Sequence, residues 1–332
     1  MRRIQGLDLL RGIAVGLVLL RHALPTPFAG AGVVGVVMFF AVSGYLITGL
    51  LLEEHQRTGT VALRRFYRRR AARLVPALLV LVLAVSVVTL LFDPLGDRGT
   101  VVEDVLVALT WTGNLPRLTP GGATFHLWTL ATEEQFYLVW PAVLLVAVRR
   151  GRPARTFAAV GLVCLAACAA TLLWLRADVD LAYALPTVWT GCFVIGAAAR
   201  VYGDRILRDR GLPPCAVPLA LATLGVLSVV ELRGHALTYL AGGPVIAVLT
   251  CTLLLAWRAW TVVDGPRLSL VVWLGTVSYG AYLWNYPLTL WLRTATGAPL
   301  GALITVSLTL VAAQLSHRWV ERPFLHRRQV PA

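Results

Sequence analysis

The amino-acid sequence predicts an all-α polytopic membrane protein, and three observations predict it. Hydrophobic residues make up 58% of the 332 positions, mean hydropathy is +0.75 and only 14% of residues are charged. A soluble domain of this length carries about a quarter charged residues, so water is not the solvent for most of this surface. The apolar residues gather into runs long enough to cross a bilayer core of about 30 Å. The basic residues, thirty arginines and no lysine, gather in the short segments between alternate runs. The net charge of +14 is therefore spread over loops and does not form a nucleic-acid surface.

About ten spans of roughly 17–23 residues follow one another, each long enough to cross. They lie near 5–23, 32–52, 74–92, 127–148, 157–175, 183–200, 213–231, 237–257, 270–291 and 299–317. With the first span entering from the cytoplasm, the inner segments hold Arg2, Arg3, the cluster Arg57–Arg73, Arg149–Arg155, Arg200–Arg210, Arg258, Arg267 and Arg318–Arg328. Those are twenty-three arginines, against five outside: Arg98, Arg117, Arg176, Arg233 and Arg293. The positive-inside rule then places both termini in the cytoplasm of a multi-pass cell-membrane protein. No internal repeat, low-complexity stretch or soluble extracytoplasmic domain is visible, so residues 1–332 read as a single transmembrane domain. The N-terminal run has arginines inside it and no small-residue cleavage site, which argues against a removable signal peptide. Cys164, Cys168, Cys192 and Cys251 lie within apolar runs and Cys215 at the start of one, where they act as small apolar residues.

The first span is the anomalous one, because it carries Asp8, Arg11, Arg21 and His22. A charge near the middle of a lipid-facing helix costs at least ~2.5–3.5 kcal/mol, so Arg11 must face protein or water. Arg11 and His22 are eleven positions apart, within about 20° of three whole turns and about 16 Å along the axis. They share a face, and Asp8 continues the stripe one turn earlier. The fourth span descends through FHLWTLATEEQFYLVWP from Phe125, with Glu133 about two turns below His126 on the same face and Tyr137 one turn further. The ninth span contains SYGAYLWNYP and brings Asn285 to a similar depth. Three spans thus offer His22, Glu133 and Asn285 in the outer half of the membrane. Ionisable groups there are candidate functional residues, and a His–carboxylate pair suits general-base chemistry. Simpler structural roles exist for each: Arg11 paired with Asp8, His22 tethering a helix end, Glu133 as a buried anchor, and Ser43 beside Gly44 as helix-packing glue.

Several motifs resemble one family. Arg11 and His22 form an R-x10-H pair after GLDLLRGIAV, and Met38–Thr48 reads MFFAVSGYLIT. Phe66–Pro76 reads FYRRRAARLVP, His126–Pro141 reads HLWTLATEEQFYLVWP, Leu274–Pro287 reads LGTVSYGAYLWNYP, and Trp319–Phe324 reads WVERPF. Together and in order they resemble the integral-membrane acyltransferase-3 family, which includes bacterial O-antigen and exopolysaccharide acetylases and macrolide acyltransferases. The sequence departs from the pattern at Thr129, where Ser is usual, at Thr132, where Val is usual, and at Asn285, where the family has His. Asn hydrogen-bonds but does not titrate near neutral pH.

The resemblance implies O-acyl transfer, with an acetyl or other acyl group passing from acyl-CoA to a hydroxyl of a glycan, glycolipid or macrolide-type acceptor. It places Arg11 and His22 at the family's functional pair and Glu133 at its acidic position; the expected catalytic residues are His22 as base and Glu133 as its orienter. An acyl-histidine is equally compatible. Arg11, Arg70 and Arg73 are the donor-binding residues, the loop arginines gripping phosphates by bidentate contacts. On their own these loop arginines read as topology determinants. Asn285, Tyr282, His126 and Ser43 face the substrate. The partners are the lipid bilayer, acyl-CoA and the acceptor, with no metal and with a homo-oligomer left open. A transporter or flippase would use the same polar ladder as a substrate path, and a non-catalytic membrane partner would account for Asn285.

Overall fold

In a computed structural model, residues 4–115, 122–295 and 298–326 are described, and Arg2, Arg3, Arg117, Arg327 and Arg328 of the arginine count lie outside them. Every regular element among the described residues is helical. The chain runs through α1 (Gln5–Ala23), α2 (Ala31–Thr58), α3 (Leu63–Phe92), α4 (Val101–Thr110), α5 (Trp128–Arg149), α6 (Pro153–Trp174) and α7 (Thr190–Arg210). It continues through α8 (Ala216–Val229), α9 (Gly243–Trp257), α10 (Pro266–Thr276), α11 (Ser278–Ala295), α12 (Ala298–Leu315) and the short α13 (Arg322–His326). Pro153 and Pro266 open α6 and α10, where the missing N–H costs nothing. Gly59, at φ 71°, closes α2 in the left-handed conformation that only glycine adopts freely.

Among the described residues, five helical stretches are long and apolar enough to cross a membrane: Ala31–Thr58, Leu63–Phe92, Pro153–Trp174, Thr238–Trp257 and Leu300–Phe324. α1 and α5 match them in length, but Asp8, Arg11, Glu133 and Glu134 lower their apolarity. The apolar window of α2 is 78% buried and that of α6 only 22%, so α2 is central and α6 peripheral. Leu83, Leu91, Leu162, Leu173 and Leu219 point outward from α3, α6 and α8. Water would not tolerate so wide an apolar exterior, but hydrocarbon matches it.

Three expected spans differ in detail. The run at 183–200 enters its helix only at Thr190, after two short 3-10 turns at Val179–Ala184 and Pro186–Val188. The run at 213–231 yields the 14-residue α8. The run at 270–291 divides at Val277 into α10, which packs on α1, and α11, which packs on α12. α4 adds a short helix in the segment after α3 that the span pattern does not contain.

Backbone contact sets the core geometry. A Cβ at Gly12 would stand 1.9 Å from the Val271 carbonyl oxygen, and one at Gly275 would stand 1.8 Å from that of Asp8. The same device joins α2 to α7, where Gly44 faces the Phe193 carbonyl and Gly196 faces that of Ala41. Small residues at crossings let helices approach without a hydrophobic drive, as association in lipid requires. The result is a tight group of α1, α2, α7, α9 and α10, with the polar stripe of α1 turned inward.

Candidate functional site

A cavity of about 960 Å³ lies between α1, α2 and α7 of this group and the facing α3, α5 and α11. Its mouth is formed by Ile4 just before α1, the last third of α2 (Glu53), the first half of α3 (Arg70, Arg73), the middle of α7 (Arg200, Asp204) and the segment after α9 (Arg258, Thr261). That is the arginine-rich end of the bundle. Inside, the wall includes Arg11, Ser43, Glu133, Tyr137, Thr129 and Tyr282.

The cavity's polar floor is built by α2, α3 and α5. Ser43 Oγ donates to Glu133 Oε1 at 2.9 Å, a hydrogen bond between α2 and α5. Arg70 lies with its guanidinium carbon 3.4 Å above the Tyr137 ring and donates from Nη2 to Glu134 Oε1 at 3.2 Å. The charged groups acting on Arg11 include Arg73, Asp8 and Glu133. The expected donor residues Arg11, Arg70 and Arg73 therefore line one cavity with Glu133, although Arg70 is already held by an aromatic face and a carboxylate. Glu134 faces Arg70 and not the interior occupied by Glu133, as the helical spacing suggests.

His22 lies elsewhere. It is absent from the cavity wall, which takes Leu7 and Arg11 from α1 and Ile4 just before it. Its Nδ1 is 2.5 Å from Asn285 Oδ1, and its ring stands edge-on to Tyr286 at 5.2 Å between centroids. The amide of Asn285 donates from Nδ2 to Thr309 Oγ1 at 3.3 Å, which orients its oxygen toward the imidazole. An amide oxygen only accepts, so a neutral His22 carries its proton on Nδ1 and its lone pair on Nε2. The sequence reading made Glu133 the orienter of His22. The structure gives that contact to Asn285 and gives Glu133 to Ser43.

Tyr282 joins the two regions. Its hydroxyl lies 2.5 Å from Thr129 Oγ1 and donates to the His126 carbonyl at 2.8 Å, so Thr129 keeps a hydrogen-bonding role for its hydroxyl. His126 packs between the rings of Tyr282 and Tyr286, at 5.5 and 5.2 Å. Its Nε2 donates to the Leu283 carbonyl at 3.1 Å. Pro287 lacks the N–H that would otherwise bond this carbonyl four residues earlier, so His126 repairs the break in α11. In α5 the Tyr67 hydroxyl reaches the Tyr137 carbonyl that Pro141 leaves without its helical N–H, at 3.5 Å, and the neighbouring Leu138 carbonyl at 3.1 Å.

Sequence reasoning missed several residues here. Thr309 sits behind Asn285 on α12. Arg200, Arg258, Glu53 and Asp204 reach the cavity mouth from three segments far apart in sequence. Asn114 and Gln135 exchange amide hydrogen bonds at 2.8 Å in each direction and fasten the segment before α5 to that helix. Among the described residues no three His, Cys, Asp or Glu side chains gather as a metal ion would need.

A family model described as an acyltransferase domain matches residues 4–317. A provisionally named O-acetyltransferase of Staphylococcus aureus strain COL is 30% identical, aligned over 98% of this chain and 58% of its own length. The peptidoglycan O-acetyltransferase OatA of Listeria monocytogenes is 28% identical, over 96% of this chain and 55% of its own. The O-acetyltransferase OatA of Staphylococcus aureus strain NCTC 8325 is 27% identical, over 97% and 57%. The chain thus spans between a half and two thirds of the length of these curated relatives. No solved structure matches it significantly.

Proposed function

The chain belongs to the acyltransferase domain family, and from that premise we propose that it moves an acyl group, most simply acetyl, from acyl-CoA to a hydroxyl of a glycan, glycolipid or macrolide-type acceptor. The carrying observation is the cavity, which opens among Arg73, Arg200 and Arg258 and ends at Arg11, Ser43, Glu133 and Tyr282. An anionic, elongated donor fits a basic mouth and a narrowing polar interior. The arginine-rich mouth faces the cytoplasm, where acyl-CoA is made, with about ten spans and both termini cytoplasmic in a cell membrane. The relatives named O-acetyltransferases, one of them for peptidoglycan, favour acetyl as the group and a glycan as the acceptor.

In this reading the phosphates stay at the mouth and the pantetheine arm runs inward past Arg11. His22 is the base. Asn285 holds its Nδ1–H, so the Nε2 lone pair removes the acceptor's hydroxyl proton as that oxygen attacks the thioester carbonyl. Coenzyme A leaves as the thiol after taking up a proton. A neutral orienter suffices to select the tautomer, as in Cys-His-Asn sites, though it stabilises the imidazolium less than a carboxylate does. The Asn285 substitution is thereby compatible with catalysis. Glu133, bonded by Ser43 beside Arg11, balances charge in the donor passage and takes no part in orienting His22. Because the cavity stops short of His22, Tyr282 stands between donor and base, and the acyl group passes it to react. The test is acyl transfer by the purified chain in nanodiscs, followed as thiol release from acetyl-CoA with glycan or macrolide hydroxyl acceptors. Failure of the folded protein to bind acetyl-CoA would overturn the reading.

A further inference from the structure

We propose that Arg200 and Arg258 form a phosphate-binding rim at the cavity mouth, the subsite for the polyphosphate end of the donor; the proposal rests on the acyl-CoA reading above. Both residues line the mouth, on α7 and just after α9. Each is held from behind by a carboxylate. Arg200 Nη2 donates to Glu53 Oε1 at 3.3 Å, and Arg258 Nη1 donates to Asp204 Oδ1. A guanidinium has five N–H donors in a rigid fork, so the Glu53 carboxylate on Arg200, and the Asp204 carboxylate with the Tyr45 hydroxyl on Arg258, fix each plane and still leave donors to grip phosphate.

The backbone and an aromatic ring complete the site. Arg200 lies across α2 where Gly49 leaves room, since a Cβ there would stand 2.7 Å from Arg200 Nε. Its guanidinium carbon is 5.8 Å from the centroid of the buried Tyr45 ring. The Arg258 guanidinium also holds the Asp204 carboxyl below the usual carboxylate range, so that pair remains ionised at neutral pH. Arg70 is differently placed: its face is taken by Tyr137 and its side chain is 16% exposed, against 25% and 30% for Arg200 and Arg258. The cavity wall carries five arginines and three carboxylates, a net excess of two positive charges for an anion.

The depth also fits. Gly49 and Glu53, against which Arg200 rests, are six and ten residues beyond Ser43 on α2. That sets the rim about 9–15 Å from the Ser43–Glu133 floor along the helix axis. A pantetheine arm covers such a distance, so phosphates at the rim place the thioester at the floor.

The experiment compares Arg200→Gln, Arg258→Gln and the double variant with the parent, as the full chain in nanodiscs, by calorimetric binding of coenzyme A and of S-acetylpantetheine, which lacks the phosphates. Each lost charge-assisted contact is worth ~1.5–3 kcal/mol, so each single variant should weaken coenzyme A binding by roughly tenfold or more. S-acetylpantetheine affinity should not change. Arg200→Lys keeps the charge without the fork and should recover part of the loss, which guards against a folding artefact. Equal coenzyme A affinity in parent and double variant, or a parallel fall for S-acetylpantetheine, overturns the rim while leaving the donor reading intact. A folded parent that binds neither compound overturns the donor reading, and the rim with it.

Discussion

His22 Nδ1 and Asn285 Oδ1 approach to 2.5 Å, joining the C-terminal end of α1 to the middle of α11. The contact links the first span to the eleventh helix across 263 positions of sequence. It gives the one departure from the motif pattern that removes a titratable group a defined job: presenting a tautomer.

Asn285→Leu should therefore cut acyl transfer by ~10²-fold or more while acyl-CoA binding stays near the parent value, because only the orientation of the base is lost. His22→Ala should fall at least as far. Asn285→Asp keeps the acceptor oxygen and should retain far more activity than the Leu variant. Single-turnover rates at saturating donor make the comparison, and a fully active Leu variant would remove Asn285 from the site.

His126 and Pro287 make a second test. If His126 serves only to bond the carbonyl freed by Pro287, His126→Phe should lower thermal stability by about the worth of one buried hydrogen bond, ~1–3 kcal/mol. Pro287→Ala restores the helical N–H and should rescue that loss in the double variant. A rescued melting temperature with activity still absent would instead assign His126 a role at the substrate.

Ser43 and Glu133 should behave as a pair. Ser43→Ala and Glu133→Gln are expected to show coupling of about 0.5–3 kcal/mol in a stability cycle, as contacting residues do. The His22→Ala and Glu133→Gln stability changes should add without coupling, since the two side chains have different partners. Strong coupling between His22 and Glu133 would revive the direct pairing.

The α1–α10 contact predicts a contrast between two glycines one turn apart. Gly12→Ala would push a Cβ against the Val271 carbonyl oxygen at 1.9 Å, whereas at Gly16 the nearest atom is Leu274 Cδ2 at 3.8 Å. Overpacking at Gly12 should cost ~1–3 kcal/mol and displace Arg11 from the cavity, while Gly16→Ala should be close to neutral. Thermal unfolding in detergent separates the two outcomes, and equal stability of both variants would contradict the close crossing.

What the sequence determined by itself was whatever depends on composition and periodicity. The apolar runs could not remain in water, so a helical membrane bundle followed. The charges on α1 and α5 could not face lipid, so an inward polar stripe followed as well, and Arg11, Ser43, Arg70, Arg73, Glu133 and Tyr282 do line one cavity. The tertiary structure alone decided which polar groups touch. Helical spacing ranks residues by face and depth within one helix, but it carries no information about the rotation of one helix against another. His22 and Glu133 shared an expected depth, yet the close α1–α10 crossing and the break at Val277 bring Asn285 to the imidazole. Arg200 and Arg258 read as loop charges because the apolar run stops near Arg200, whereas α7 continues to Arg210, and only the folded bundle brings the middle of α7 and the end of α9 around one mouth.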